Sequence, residues 1–438
     1  MRKILVLFLL VTTSVFCSEK PTQITLWHAF DGCLKEVFEE IISDFNYQSE
    51  TYFISPKMIG NYNEVFQQGL DAFEKGNPPH ILQVYEVATL TAMEKKGMFI
   101  PLEDLMSSYN KRFDPDVYID AVRAFYTSPS GMMMSLPWNA STGILFYNKL
   151  AFSQAGLHPE KPPETWEKLE SCSEALKDAG YIGFTTAWPA GYHLELFSAW
   201  HNLAFATHGN GFENGEAKLI FNGPVQTKHI SKVAEWKKKG YFAYAGREKE
   251  EPEALFTEGK CAILLQSGNR LPLIKRKANF PIGVGYMPYW AYLVAKPYNL
   301  PIGGSSFWVI KGFSDKEYRG IVQFFDYLSS TVVQAYWHQQ TGYLPITDAA
   351  YHLTKKKKFY EDHQAAEIAV LEVLSKPPTP YTRGIHLPGY LEVREKIIDC
   401  LEEAFEGALT AKEALDKAVT QGNMILDQNR ITLQKEEH

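Results

Sequence analysis

Arg394 lies in the stretch YLEVREKIIDCLEEAFEG, three, four, seven and eleven residues before Ile397, Ile398, Leu401 and Phe405. Those spacings share one face of a helix, so the guanidinium points the same way as an apolar stripe. An inward guanidinium needs an anionic or richly hydrogen-bonding partner. That partner could be an internal carboxylate or a bound anion, or the stem could reach back to water. Glu86 ends the strand-like HILQVYE at a strand-to-helix turn. There it either offsets the helix dipole or accepts from ligand hydroxyls. Ser267-Gly268 closes AILLQ and opens a helix, which suits an ordinary cap or an anion site. Gly303-Gly304 begins a strand, relieving crowding or letting a backbone N–H approach an anion. Tyr343 follows Gly342 and precedes Pro345, which bars the helix from resuming and leaves a phenol on a rigid turn. Trp166 and Trp188 suit either a core or the wall of a polyol site.

These residue types bind; they do not form a reaction centre. The chain has no GxSxG, HExxH or GxxxxGK[ST] motif, and no GxGxxG opening a helix. Its cysteines form no CxxC and have no histidine at zinc spacing. No cofactor, metal or catalytic residue is therefore expected. Cys33, Cys172, Cys261 and Cys400 suit one or two disulfides or free thiols equally.

The elements that must hold these residues alternate. QITLWHAF reads as a strand, followed by a helix with apolar spacing at Leu34, Val37, Phe38, Ile41, Ile42 and Phe45. TYFISPKMI, NEVFQQGLDAFEKG, HILQVYE and VATLTAMEKKG repeat the strand–helix rhythm of a helix-covered parallel sheet. Near SLPWNASTGILFYNK the rhythm changes, with Pro137, Asn139, Ser141 and Gly143 reading as turn residues. No flexible linker intervenes, so a hinge between two α/β lobes is expected, with the ligand between them.

At 438 residues the chain is long enough for two cores, and a net charge of −7 argues against a nucleic-acid partner. Arg2 and Lys3 precede an apolar run, Ile4–Val11, too short to span a bilayer. This reads as a signal peptide over 1–17 cleaved after Cys17, with lipidation of Cys17 as the rival.

The order of GNYNEVFQQGLDAFEKGNPPHILQVYEVAT, FSAWHNLAFA, FNGPVQTKHI, GVGYMPY, WHQQTGYLPIT and KPPTPYTRG resembles the extracellular solute-binding proteins of ABC importers. The likeness is to their glycerol-3-phosphate-binding branch of the Ugp type, over essentially the whole mature chain. It implies a two-lobe, type II periplasmic-binding-protein fold of α/β class, with discontinuous lobes joined by a hinge. Lobe 1 would be 18–137 with 300–346, and lobe 2 would be 138–299 with 347–438. It implies ligand contacts at Tyr62 of GNY, Glu86 of QVYE, Ser141 of NAST and Trp166 of ETWEKL. Others fall on Ser267 after AILLQ, Gly304 of IGGSS, Tyr343 of TGYLP and Arg394 of EVRE. The implied ligand is sn-glycerol 3-phosphate, or else a glycerophosphodiester or another sugar or sugar phosphate. Arg394, Tyr343, Ser267 and the Gly304 amide would meet the phosphate, and Glu86, Tyr62 and Ser141 the glycerol hydroxyls. The resemblance further implies a monomeric periplasmic binder, not an enzyme, partnered by the importer's permease subunits. Ala140 and His386 depart from the pattern, standing where a second serine and a basic residue are expected.

Overall fold

The computed structural model describes residues 20–436 apart from 129, 214 and 215; the expected signal and Cys17 lie outside them. Eleven strands are described: β1 (Thr22–His28), β2 (Tyr52–Met58), β3 (Ile81–Tyr85), β4 (Phe99–Ile100), β5 (Leu136–Ser141), β6 (Gly143–Asn148), β7 (Ile182–Thr186), β8 (Phe242–Ala243), β9 (Cys261–Ser267), β10 (Ile282–Gly285) and β11 (Gly303–Ile310). They form two sheets, one ordered β2-β1-β3-β11-β4 with β5 also on β11, the other β10-β6-β9-β7-β8. β1 runs parallel to β2 and β3, whereas β11 enters antiparallel from far along the chain. The expected α/β class with two discontinuous halves is the architecture observed. Helix Gly32–Gln48 buries Phe38, Ile41, Ile42 and Phe45, as its 3.6-residue period requires.

The rhythm change marks the crossing between sheets. Pro137, Asn139, Ser141 and Gly143 do not form turns; they lie in β5 and β6. Pairing with β11 and β9 overrides the local turn preference. Pro137 is tolerated because β5 pairs along one edge alone, leaving an N–H unneeded on the other. A single residue, Thr142, separates the two sheets, and its Oγ1 donates to Pro301 O at 3.0 Å. That bond fastens the first crossing to the second, where the chain returns to β11. Across the rim, Arg276 Nη2 donates to Cys33 Sγ at 2.9 Å. All four described cysteines are free: Cys33 exposed, Cys172 half-buried, Cys261 and Cys400 buried.

The second half is built on an aromatic core in which Trp166 packs among His229, Trp236 and Trp290. Trp166, expected on the ligand, is fully buried there with its ring among these aromatics. It is the first residue of helix Trp166–Asp178, capped by Thr165, and that helix turns it beneath the second sheet. The histidines in this core have a fixed proton arrangement. Trp290 Nε1 donates to His229 Nδ1 at 3.3 Å, so the His229 proton sits on Nε2. It passes to His193 Nδ1 at 3.3 Å, and His193 Nε2 then faces Thr186 Oγ1 at 3.3 Å. His201 Nε2 accepts from Trp290 N at 2.8 Å, leaving its Nδ1 proton for Phe197 O at 2.7 Å.

Neither ring set has a place for a further proton, and burial lowers the pKa of His193 to about 3 and of His201 to about 4. Because the folded values lie below the unfolded value of about 6.5, the neutral rings stabilise the fold fully above that pH. The contribution is lost as pH falls toward the folded values. Thermal unfolding without ligand should therefore show Tm falling steadily between pH 7 and pH 4.5. A Tm unchanged over that range would contradict a neutral histidine core.

Candidate ligand-binding site

Each candidate side chain is placed by a local device. The Asn61–Glu64 capping box starts helix Tyr62–Glu74, fixing Tyr62 as its first residue. Its ring stacks on Tyr85 at 5.7 Å and 7°. Glu86 opens a short turn of 3₁₀ helix directly after β3. Gly342, at φ +76°, ends helix Thr331–Thr341, and Tyr343 then stacks on Trp337 at 5.8 Å and 8°. Leu344 N donates to Ala140 O at 2.7 Å, pinning this turn to β5. Ser267 ends β9 opposite Gly143, and Ser141 ends β5 opposite Gly303. Arg394 is carried by helix Tyr390–Glu406, whose buried stripe includes Ile397, Ile398, Leu401, Ala404 and Phe405. That helix packs against the Glu86–Ala88 turn, so the two halves meet here.

Arg394 has an internal partner. Its Nε lies 2.8 Å from Glu195 Oε1, and its Nη2 donates to Glu195 Oε2 at 3.2 Å. One edge of the guanidinium is thus taken, and the Nη1 edge has no protein acceptor among the described residues. Glu195 comes from a wide turn of π-helix, Gly191–Glu195. A Cβ at Gly191 would stand 2.9 Å from Arg394 Nη2, so glycine there keeps the approach to the guanidinium clear. Burial works against the Arg394 charge, but Glu195, Tyr390 and Glu86 around it outweigh that and hold it more firmly protonated. Arg270, the other nearby guanidinium, is drawn away by the buried Glu253 at 2.9 and 3.2 Å.

Glu86 faces this cation from the other half. Burial raises its pKa, with Arg394 and the Gly304 N–H pulling the other way. Gly304 N donates to Glu86 Oε2 at 3.0 Å, so this amide serves the carboxylate. Tyr62 accepts from Asn139 Nδ2 at 3.1 Å. Burial raises its pKa well above the phenol value, and the Tyr343 hydroxyl beside it adds to that. Ser267 Oγ is buried with no partner in the protein, a state uncommon for buried polar groups away from binding sites.

The structure thus gathers Tyr62, Glu86, Ser141, Ser267, Gly304, Tyr343 and Arg394 at the meeting of the two halves, and leaves out Trp166. In its place stands Trp188, half-buried beside Gly191 at φ +38°, a backbone region costly for a bulky residue. Its Nε1 donates to Glu248 Oε2 at 3.1 Å. Trp188 follows the end of β7 and precedes Pro189, a strand-end position that the sequence already displayed. His386 is buried on Phe212, with ring centroids 4.7 Å apart, and burial lowers its pKa to about 4. It supplies no positive charge. Ala140 is buried in the strand, and only its carbonyl is engaged.

Residues 40–367 match the bacterial extracellular solute-binding protein family. The chain is 41% identical over 407 residues to the sn-glycerol-3-phosphate-binding periplasmic protein UgpB of Yersinia pseudotuberculosis, covering 92% of each. It is 42% identical over 411 residues to UgpB of Escherichia coli, covering 93% of each. Among solved structures, UgpB from Mycobacterium tuberculosis in complex with glycerophosphocholine superposes with a TM-score of 0.78 at 20% identity, covering 93% of this chain and 98% of that one. The cyclic alpha-maltosyl-1,6-maltose binding protein from Arthrobacter globiformis superposes at 0.76 and 20% identity, covering 93% and 100%. With this two-halved fold and this match, the chain belongs to the bacterial extracellular solute-binding proteins.

Proposed function

We propose that this chain captures sn-glycerol 3-phosphate between its two halves and delivers it to the permease subunits of an ABC importer in the periplasm. The observation that carries the reading is Arg394, a partly buried guanidinium with one edge on Glu195, no acceptor for Nη1 among the described residues, and Glu86 of the opposing half near enough to act on its charge. A phosphate ester near neutral pH carries roughly −1.5 to −2 charges and accepts a bidentate fork. Ser267 Oγ and the Tyr343 hydroxyl add neutral donors, and Trp188 offers a ring face to the carbon skeleton. Relatives over 40% identical along nine-tenths of the chain carry glycerol 3-phosphate in their names, which supports the same reading.

The expected boundary at 137 falls inside β5, which pairs with β11, so the lobes are taken as 18–141 with 300–346, and 143–299 with 347–438; they close about Thr142 when both contact the ligand. Differential contact with the closed form is what would shift the population toward it. The protein binds and does not turn its ligand over. Calorimetric titration should give binding of glycerol 3-phosphate and none of maltose. Glycerophosphocholine tests whether the open side beside Trp188 admits a diester. Maltose binding without phosphate-ester binding, or phosphate release from either ester, would reject the reading.

A further inference from the structure

The unused feature with the widest consequence is a buried polar chain behind Tyr62. It starts at a backbone amide, which can only donate: Ala29 N–H meets Gln83 at 2.7 Å. The Gln83 atom facing it must be Oε1, so Nε2 is at the other end. That Nε2 donates to Ser305 Oγ at 2.6 Å and to Asn139 at 3.4 Å. Ser305 Oγ, having accepted, turns its own proton to Asn139. The Asn139 atom taking these donors is therefore Oδ1, and its amino end Nδ2 donates to Tyr62 Oη at 3.1 Å. Gln83 and Ser305 are fully buried and Asn139 is 1% exposed, so water cannot reverse any step. Each member of the chain has one orientation that satisfies its neighbours, and the orientation is set at Ala29.

We infer that this chain makes the Tyr62 hydroxyl an obligate donor toward the cleft, with Asn139 as the positioning residue that fixes its direction. The inference rests on the proposed phosphate-ester reading and sharpens it. The phenol oxygen is already accepting, so its proton must leave outward. It goes to the neighbouring Tyr343 hydroxyl, which then donates in its turn, or straight to the ligand. Either way the wall presents O–H groups to a ligand surface rich in acceptors. A phosphate oxygen fits. This reassigns Tyr62 from the glycerol hydroxyls, where it was expected, to the anion. It also explains why glutamine, serine and asparagine occupy a strand interior that apolar residues would otherwise fill.

The sign of a substituent effect tests this. Fluorination ortho to the phenol makes it a better donor and a poorer acceptor with little change in shape. The test is 3,5-difluorotyrosine at position 62, titrated with glycerol 3-phosphate and with inorganic phosphate at a pH where the phenol stays protonated. An obligate donor should bind glycerol 3-phosphate more tightly by roughly two- to five-fold. Weaker binding would show that Tyr62 accepts from the ligand and would overturn the inference while leaving the phosphate-ester reading intact. A wild-type protein that binds no phosphate ester would remove both. The double variant Gln83→Met/Ser305→Ala, neither member of which is placed on the ligand, removes both donors to Asn139 Oδ1 and separates positioning from mere packing. It frees Asn139 to turn, so the fluorine gain should shrink toward one. A full gain in that double variant would exclude the chain as the source of direction.

Discussion

Replacing Arg394 with alanine is expected to weaken glycerol 3-phosphate binding by on the order of 10²- to 10³-fold, read by calorimetry. Truncating one member of a desolvated charge pair commonly costs about 2–5 kcal/mol, and each 1.4 kcal/mol is about tenfold in affinity. The loss has two sources that must be separated. The ligand loses its charged fork, and Glu195, with 16% of its side chain exposed, loses its counter-ion. Stranding a carboxylate in this way destabilises the fold even without ligand, by up to about 3–5 kcal/mol for fully buried pairs. A second variant therefore pairs Arg394→Ala with Glu195→Gln, which removes the stranded charge. Stability should return toward wild type in the double variant while phosphate-ester binding stays lost. Recovery of binding along with stability would show that Arg394 is a structural counter-ion and that the anion sits elsewhere.

Gly304→Ala should be among the most damaging small substitutions in the molecule. Its φ is +124°, and a Cβ would stand 2.0 Å from Asn139 O and 3.2 Å from Ala140 Cα, both backbone atoms of the neighbouring strand. Neither can move aside as a flexible side chain would. The strained dihedral and the overpacking each cost roughly 1–3 kcal/mol, so about 2–6 kcal/mol together is expected as a lowered Tm without ligand. To admit the methyl, β5 must part from β11. That movement displaces Asn139 behind Tyr62 and also the amide that holds Glu86 at 3.0 Å. Affinity should fall with stability. An unchanged Tm would mean that the strands are less tightly joined at this point than described.

The sequence was informative where a side chain's direction follows from local periodicity or punctuation. The inward face of Arg394 came from helical spacing. The rigid turn at Tyr343 came from Gly342 and Pro345, and the placement of Ser267 and Glu86 came from the ends of their strands. Partners far along the chain were not legible. Glu195 lies 199 residues from Arg394, and nothing local to either residue announces their pairing. Asn139 read as a turn residue because asparagine prefers turns, yet β11 contributes a ladder that only the folded chain supplies. The exchange of Trp166 for Trp188 has a similar origin. Both tryptophans adjoin a turn, but the Thr165 cap rotates the first one into the core. The second follows β7 into a positive-φ turn that exposes part of its ring. Strand-end position, applied to every aromatic, would have favoured Trp188.

The contact between Arg276 and Cys33 has a use beyond packing. Cys33 is exposed in the first turn of the helix Gly32–Gln48 on the first sheet, whereas Arg276 belongs to Leu271–Lys277, which follows β9 of the second. Any parting of the halves draws the guanidinium away from the sulfur. The remaining described cysteines are half-buried or buried, so an alkylating dye meets this one thiol first. The natural chain therefore carries its own attachment point for an optical gauge of opening, at a seam between the moving bodies, with no residue exchanged.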